Sequence, residues 1–465
     1  MKTRFGYKVY PLTAAQRLHF FSQKSCPKKQ LLNIGTSVTI GTDVNFEELK
    51  KAIYEAYARC ESMRLRFAED KEGNCFQYVV KAEERDIEYV NFMGQTMEEA
   101  ERVMKEWTEI PFETKDSPQN RVVMITTPDG FNGIYMLVNH MTMDAQSLIC
   151  FIKDVIELYC HNMYEGVEAP KPMASYLEQL KKDLEYEAGS KAQQRDREFF
   201  YKLIESSEPL YNDIDGSERL NKLRKEKNNP NIRSVVDGLD NVTADISVFH
   251  LEAEPTKRLM DFCREREVSM VCLLMMGLRT YFQKFNGSPD VSIVTTVARR
   301  AMVKEKKCGG SRIHCFPFRT IVDEDKTFMD GLNIIRDGQN QIFRHANFNP
   351  VEYYAHRGEF YHNMGETYEP MSLTYQPLTL QEKGLTKIGD IPYKTKWYSN
   401  GVAAQRLYLT VMHRPEDNGM DFSFEHQLGA FTYEKLEYFY YYICKILFKG
   451  IENPDLSVKD IINLV

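Results

Sequence analysis

The chain has 465 residues, of which 43% are hydrophobic and 27% are charged, a composition typical of globular rather than disordered proteins. The net charge of −7 argues against a nucleic-acid binder or a protein held on an anionic membrane surface, because both would carry an excess of basic residues. The ten cysteines form no CxxC pair, and no apolar stretch is long enough for a signal peptide or a membrane span. We therefore predict a cytoplasmic protein with reduced thiols, no membrane association and no nucleic-acid partner.

The first part of the chain alternates strand and helix patterns. Short β-branched or apolar runs predict strands, and apolar residues at three- and four-residue spacing predict amphipathic helices. Asn45 is a candidate N-cap. The predicted elements are strands at 37–40, 77–80, 121–126 and 133–138, a helix after Asn45 and a helix over 145–160.

A charged stretch follows from about residue 176 to 240, and its composition predicts a solvated helical connection with a surface loop. We therefore predict an N-terminal domain at 1–175 and a C-terminal domain at 176–465. Beyond the charged stretch, strands and helices are interleaved again, an order that indicates α/β or α+β organisation. The later predicted elements are helices at 254–267, 270–285 and 433–448 and a strand at 291–298.

One short stretch, NHMTMDA at 139–145, places ionisable side chains at the end of a strand. His140 follows the predicted buried strand, and Asp144 opens the next helix. Histidine exchanges its proton near neutral pH, which makes His140 a candidate general base. The alternative is that His140 is a satisfied buried histidine and that Asp144 is only the helix N-cap. Spacing alone leaves both interpretations open.

Other chemistry-bearing motifs are missing from the sequence. It contains no Walker loop, GxGxxG or GxSxG motif. Neither the group Cys308, His314 and Cys315 nor the pair His356 and His362 has the spacing of metal ligands. We therefore predict no metal site.

NHMTMDA resembles the HHxxxDG motif of nonribosomal peptide synthetase condensation domains, which belong to the wider chloramphenicol-acetyltransferase-like superfamily. Other segments resemble further motifs of this family in the same order, so the resemblance spans nearly the whole chain. The first of them, PLTAAQRLHFF, is similar to the family's opening motif PLSxAQxRLWF. The segments are 11–21, 59–67 (RCESMRLRF), 295–319, 344–354 (RHANFNPVEYY), the predicted strand Ser372–Pro377 and 422–447.

The resemblance implies an α/β fold of two acetyltransferase-like lobes, each an α+β two-layer sandwich, in a V-shaped pseudo-dimer with a central tunnel. It implies that His140 accepts or positions the proton of the nucleophile. It also implies that Asp144 is structural and pairs with an arginine of the second lobe. An ungapped alignment of residues 295–319 with the corresponding family segment puts Arg300 at that position, with Arg299 beside it as the alternative. The backbone N–H of Ala145 would face the developing oxyanion.

Several further positions follow from the same resemblance. Asn139 stands where the motif has its first histidine, which supports the loop in the family, so activity is compatible with the change. Ala145 replaces a glycine and keeps its N–H, but alanine fits poorly if the position requires a positive φ. His314-Cys315 replaces Asn-Thr. The residues predicted to line the substrate tunnel are Asn139, Met143, His314 and Ser372.

The implied function is that of a free-standing acyltransferase that joins a thioester-bound acyl or aminoacyl donor to an amine in nonribosomal peptide or related biosynthesis. The donor would arrive on the phosphopantetheine arm of a carrier protein acting in trans, and the protein itself would bind no cofactor. The segment 308–311 (CGGS) resembles a carrier attachment site, but its serine spacing is wrong, so no carrier domain is predicted. Two alternatives stay open: an acyl-CoA-dependent O- or N-acyltransferase acting on a small alcohol or amine, and a catalytically silent scaffold that binds carrier proteins.

Overall fold

The computed structural model describes residues 3–238, 241–362, 364, 367–376, 391–414 and 417–465. These residues form two compact units. The first unit contains the described residues of 1–188, 298–313 and 378–402, and the second contains those of 189–297, 314–377 and 403–465. A single division of the chain at residue 175 would assign three parts of the first unit to the second.

Strands and helices alternate along most of the described chain. The strands are β1 Thr3–Arg4, β2 Tyr7–Lys8, β3 Tyr10–Pro11, β4 Asn33–Ile40, β5 Leu65–Glu69, β6 Cys75–Val79, β7 Glu88–Asn91, β8 Asn120–Thr126, β9 Asn132–Asn139, β10 Ala244–Leu251, β11 Asp290–Val297, β12 His314–Ile321, β13 Ser372–Gln376, β14 Tyr393–Tyr398, β15 Leu407–His413 and β16 Met420–Gln427. The α-helices are α1 Ala14–Ser25, α2 Phe46–Arg59, α3 Met97–Thr108, α4 Ala145–Met163, α5 Tyr176–Glu187, α6 Lys191–Glu205, α7 Glu218–Glu226, α8 Ala253–Glu265, α9 Met270–Asn286, α10 Val303–Lys306, α11 Phe328–Arg344, α12 Pro350–Tyr361, α13 Tyr433–Glu452 and α14 Val458–Asn463. Two short 3₁₀ helices span Lys29–Leu32 and Glu61–Arg64.

The first unit is built on a five-stranded sheet in the order β14-β4-β9-β8-β7. Its strand β9 is buried on both faces, which explains why its sequence is a continuous apolar run instead of an alternating one. Ile134 and Met136 pack with residues of α2 and α4 on one face. Tyr135 and Leu137 pack with residues of α3 on the other face. The last residue of this strand, Asn139, therefore lies in a well-packed layer.

Helix α1 belongs to a smaller layer of the first unit. It begins after Thr13, whose side chain accepts a hydrogen bond from the Gln16 N–H while the Gln16 side chain accepts one from the Thr13 N–H, a capping box. A three-stranded sheet in the order β3-β6-β5 and the helix α5 lie in the same apolar cluster, which includes Leu12, Phe67 and Leu180.

The second unit is built on a six-stranded sheet in the order β10-β16-β15-β13-β11-β12. Along β16, Met420, Phe422 and Phe424 are buried and alternate with more exposed residues, the pattern of a strand with one face on a core. Helices α9, α11 and α13 supply the rest of that core, where Leu273 and Ile443 are fully buried. None of the described helices is long and apolar enough to cross a membrane.

Most predicted elements are confirmed. Asn45 caps α2 through its side-chain oxygen, and the predicted strand at 133–138 and helix at 145–160 are β9 and α4. The predicted strand Ser372–Pro377 is β13 as far as Gln376, and Pro377 lies outside the described residues.

The charged stretch from residue 176 to 240 differs in part from its prediction. Its helices α5, α6 and α7 confirm the predicted helical connection, but this connection is not wholly solvated. Phe200 and Ile204 of α6 are buried in the core of the second unit. The prediction was wrong here because a pair of apolar residues four positions apart, which share one helix face, is inconspicuous among so many charged neighbours.

Candidate active site

His140 lies in the turn between β9 and α4, and the backbone of this turn is held by neighbouring segments. The His140 N–H donates to the Leu32 carbonyl at 2.7 Å. The Asn139 side chain accepts from the Met141 N–H at 2.9 Å and donates to the side-chain oxygen of Gln119 at 3.1 Å. Thr142 closes the turn by donating its hydroxyl to the Asn139 carbonyl at 2.7 Å. Asn139 thus supports the loop in place of the motif's first histidine.

The imidazole of His140 is half-buried and close to a second histidine. Its Nδ1 is buried and makes no hydrogen bond to the described part of the chain. The ring of His19, on α1, stacks against it with the ring centroids 4.2 Å apart and the planes inclined by 30°. His140 is therefore not a buried histidine with both nitrogens satisfied, which was the alternative interpretation of the sequence.

Asp144 is both the N-cap of α4 and the centre of a buried ion pair. Its side chain accepts a hydrogen bond from the Ser147 N–H at 2.9 Å, as an N-cap does. Nη2 of Arg300 lies 2.8 Å from each carboxylate oxygen of Asp144. The Arg312 N–H donates to Oδ2 at 3.0 Å. The side chains of Asp144 and Arg300 are only 2% and 3% exposed, so this ion pair is shielded from solvent.

Arg300, not Arg299, is the partner of Asp144. Nη1 of Arg300 donates to the carbonyls of Glu305 and Cys308, at 2.7 Å each, so its guanidinium also fixes the segment 298–313. Arg299 instead pairs with Asp183 at 3.3 Å. The resemblance implied an arginine from the second lobe, whereas the segment that carries Arg300 belongs to the same compact unit as Asp144.

Burial and local charge set the protonation states of the site. Burial lowers the pKa of His140 from its ordinary value of 6.5, and the backbone of His140 and Met143 and the carboxylate of Asp144 only partly oppose this effect. Burial by itself raises the pKa of Asp144, but the charge and hydrogen bonds of Arg300 outweigh burial and hold that pKa below 3.8. At neutral pH the site therefore contains an uncharged imidazole beside a compensated carboxylate–guanidinium pair.

Ala145 is the first residue of α4 and has a helical conformation. It is not among the non-glycine residues with positive φ in the described chain. The replacement of the motif's glycine by alanine therefore causes no backbone strain. The first N–H groups of a helix have no partner within the helix and carry the positive end of its dipole, so the N–H of Ala145 is suited to an anionic oxygen.

The four residues predicted to line the tunnel are all buried. Met143 is fully buried and packs in the apolar cluster of α2 and α4. Nδ1 of His314 lies 2.8 Å from the Ala346 carbonyl. The hydroxyl of Ser372 donates to the side chain of Gln405 at 2.6 Å. Asn139 is engaged in the loop, as described above. Their tunnel-lining role stays a prediction.

The glycines of the 308–311 segment are explained by close packing. Gly310 has a φ of +99°, and a Cβ added there would lie 2.5 Å from ring carbons of Tyr176. A Cβ at Gly309 would collide with the side chain of Ser62. Ser311 is buried. The CGGS segment thus packs closely against Ser62 and Tyr176, and a bridge between Met143 and Gly310 joins it to the 141–147 turn.

Sequence reasoning missed several supports of the site. Ser147 and Arg312 contact Asp144, and Gln16 of α1 donates to the Met141 carbonyl at 3.1 Å. Only the Asp144-x-x-Ser147 spacing carried a local signal, that of a helix N-terminus. In the described chain, no group of three or more histidine, cysteine, aspartate or glutamate residues is placed to hold a metal ion.

Comparison with known proteins assigns nearly the whole chain to one family. The Condensation domain family matches residues 7–464. A plipastatin synthase subunit of Bacillus subtilis (strain 168) is 21% identical over 453 residues, which cover 97% of this chain and 17% of that protein. Surfactin synthase subunit 2 of the same organism is 21% identical over 455 residues, which cover 97% of this chain and 12% of that protein. The chain thus spans less than a fifth of the length of these two relatives.

Solved condensation domains share the fold. The first condensation domain of the calcium-dependent antibiotic synthetase, in complex with a substrate analogue, has a TM-score of 0.80 at 17% identity and covers 97% of this chain and 98% of that chain. A variant of the starter condensation domain of rhizomide synthetase, in complex with C8-CoA, has a TM-score of 0.79 at 16% identity, with 97% of both chains covered. The predicted α/β fold of two chloramphenicol-acetyltransferase-like lobes is confirmed. The chain belongs to the condensation-domain family, whose members are acyltransferases that form amide bonds in nonribosomal peptide biosynthesis.

Proposed function

We propose that this chain joins a thioester-bound acyl or aminoacyl donor to an amine, with His140 as the group that accepts or positions the amine proton. The observation that carries the proposal is the state of His140: a half-buried, uncharged imidazole on a rigid turn, directly before the N-terminus of α4. A neutral imidazole can accept a proton, and a fixed backbone keeps it in place for attack.

The reaction balances without any further reagent. The amine nitrogen attacks the thioester carbonyl carbon and forms the C–N bond. One amine proton passes to Nε2 of His140, because the other ring nitrogen is buried. The oxyanion of the tetrahedral intermediate accepts a hydrogen bond from the N–H of Ala145. The C–S bond then breaks, and the thiolate leaves with the proton that His140 held.

The donor would be presented on a phosphopantetheine arm, either of a carrier protein acting in trans or of CoA. A carrier protein and CoA present the thioester on the same phosphopantetheine arm, so the same chemistry serves both. The relatives belong to nonribosomal peptide synthetases, which favours a carrier, and the rhizomide starter domain was solved with C8-CoA, which favours testing CoA as well. The amine acceptor, the independence from other domains and the cytoplasmic location stay predictions.

The experiment incubates the purified chain with an acyl-loaded carrier protein and an amine acceptor, and separately with acyl-CoA and the same acceptor. Mass spectrometry follows the amide product. The His140→Ala variant is expected to lose about 100-fold or more in rate, the usual contribution of general-base catalysis. His161→Ala, an exposed histidine near the end of α4, is the matched control and is expected to keep full activity.

Each outcome decides between the alternatives. Product from the carrier but not from CoA supports the carrier-dependent function, and the reverse result supports the CoA-dependent acyltransferase. Equal product from His140→Ala and wild type would show that the proton role of His140 is wrong. If wild type forms no product with any thioester but binds the carrier, the scaffold alternative is favoured.

A further inference from the structure

Helix α1 contacts the turn that carries His140 at two points. Gln16 and His19 are three residues apart on α1, so their side chains lie on the same helix face. Gln16 donates to the carbonyl of Met141, the residue after His140, and the ring of His19 stacks on the ring of His140. Backbone hydrogen bonds fix the position of the His140 main chain. The face of the His140 imidazole contacts the ring of His19.

We propose that His19 is a positioning residue for His140: its stacked ring fixes the plane of the His140 imidazole and stabilises the imidazolium that forms when His140 accepts a proton. The inference rests on the proposed function of His140 as the proton acceptor. In an ungapped comparison with PLSxAQxRLWF, His19 stands where the motif has leucine, so the ring contact distinguishes this chain from that motif.

The geometry suits a neutral aromatic ring beside a cation. A cation within about 6 Å of an aromatic centroid is attracted to the ring face, and the two rings here are 4.2 Å apart. His19 itself must stay uncharged, since two imidazolium rings at this distance would repel. Burial lowers the pKa of His19 well below 6.5, and a charge on His140 lowers it further, so His140 takes the proton and His19 does not.

The other charged groups near His140 do not replace this contact. The carboxylate of Asp144 favours the imidazolium, but that charge is shared with the guanidinium of Arg300. The negative charge of Asp144 is thus mostly balanced by the positive charge of Arg300. The His19 ring is the aromatic neighbour in direct contact with His140.

The test compares His19→Leu, which fills the space without an aromatic face, with His19→Phe, which keeps the face and removes both nitrogens. Phe21→Leu on the same helix is the matched control, because Phe21 is exposed. We expect His19→Leu to lower kcat three- to tenfold with little change in KM. We expect His19→Phe to keep kcat within about twofold of wild type. Neither variant should unfold earlier than wild type, since each removes a buried nitrogen without a hydrogen-bond partner.

An NMR titration of the His140 ring, without substrate, supplies a readout that a merely structural role would not move. The pKa of His140 is expected to fall by about 0.5 unit in His19→Leu and to stay near the wild-type value in His19→Phe. An unchanged His140 titration and unchanged kcat in His19→Leu would overturn the inference, as would equal losses in both variants. Because the titration needs no substrate, it decides on the ring contact even if no thioester is converted and the proposed function fails.

Discussion

Asp144 combines a helix cap and a buried ion pair in one side chain. It caps α4, so it fixes the position of the N–H of Ala145, and it also anchors the segment 298–313 through Arg300 and Arg312. Both charges of the ion pair are buried, and such a pair is costly to break because the remaining charge loses its partner without regaining water. The folded pKa of Asp144 is lowered, so the stability that the pair contributes is present above pH 3.8 and is lost as the pH falls through the folded pKa.

Asp144→Asn is expected to lower the free energy of unfolding by roughly 3–5 kcal/mol, because it leaves the Arg300 guanidinium buried and unpaired. Asparagine remains a good N-cap, so the loss reports the charge and not the cap. Urea unfolding measures it, and Asp43→Asn at an exposed site is the control, expected within about 0.5 kcal/mol of wild type. Adding Arg300→Met should recover part of the loss; a double variant as unstable as the sum of the two single variants would contradict the pairing.

The lowered pKa of His140 predicts the acid side of the activity profile. Below its folded pKa the ring is protonated and cannot accept another proton, so kcat should fall as the pH drops. Because burial lowers that pKa from 6.5, the fall of kcat at saturating acceptor should have its midpoint below pH 6.5. A pH–rate profile with wild type measures this; a midpoint above 6.5 would contradict the neutral, buried ring.

At the scale of elements, the site depends on a close approach between two segments far apart in sequence. The 141–147 turn and the 308–312 segment touch through the Met143–Gly310 bridge. The ring of Tyr176, on α5, lies where a side chain at residue 310 would be. The absence of a Cβ at Gly310 leaves room for this ring, and two residues later the N–H of Arg312 donates to the Asp144 carboxylate.

Gly310→Ala is expected to cost about 1–3 kcal/mol more than Gly166→Ala. Both glycines have positive φ, +99° and +80°, but a Cβ would meet Tyr176 at residue 310 and nothing within 4 Å at residue 166. The difference between the two variants therefore isolates the clash from the backbone strain. Thermal and urea unfolding of the two variants measure it; equal losses would show that Tyr176 moves aside without cost.

At the scale of the whole molecule, the first unit consists of three segments that are separated in sequence by parts of the second unit. Residues 298–313 supply the partner of Asp144, and the described residues of 378–402 supply β14, which pairs with β4 at one edge of the sheet. Both segments come after a long part of the second unit. The first unit therefore depends on chain that is far away in sequence.

A fragment of residues 1–188 is expected not to show a cooperative unfolding transition. It lacks Arg300, so Asp144 would be unpaired, and it lacks β14, so the edge of β4 would be open to aggregation. Solubility and urea unfolding followed by circular dichroism measure this. Co-expression with residues 189–465 supplies the missing segments and should restore soluble protein. A fragment that unfolds cooperatively by itself, as stably as the full chain, would contradict the prediction.

The family, most strands and helices, and the two central side chains of the candidate site could all be predicted from the amino-acid sequence. They depend on local signals: the apolar run of β9, the periodicity of α4, and the ordered motifs around His140 and Asp144. The three-dimensional packing was needed to establish that Arg300 pairs with Asp144, that Ala145 is unstrained, and that α6 is part of a core. It also brings His19 onto His140. Each of these features depends on contacts or backbone angles set by packing between distant segments, which local composition and spacing do not encode.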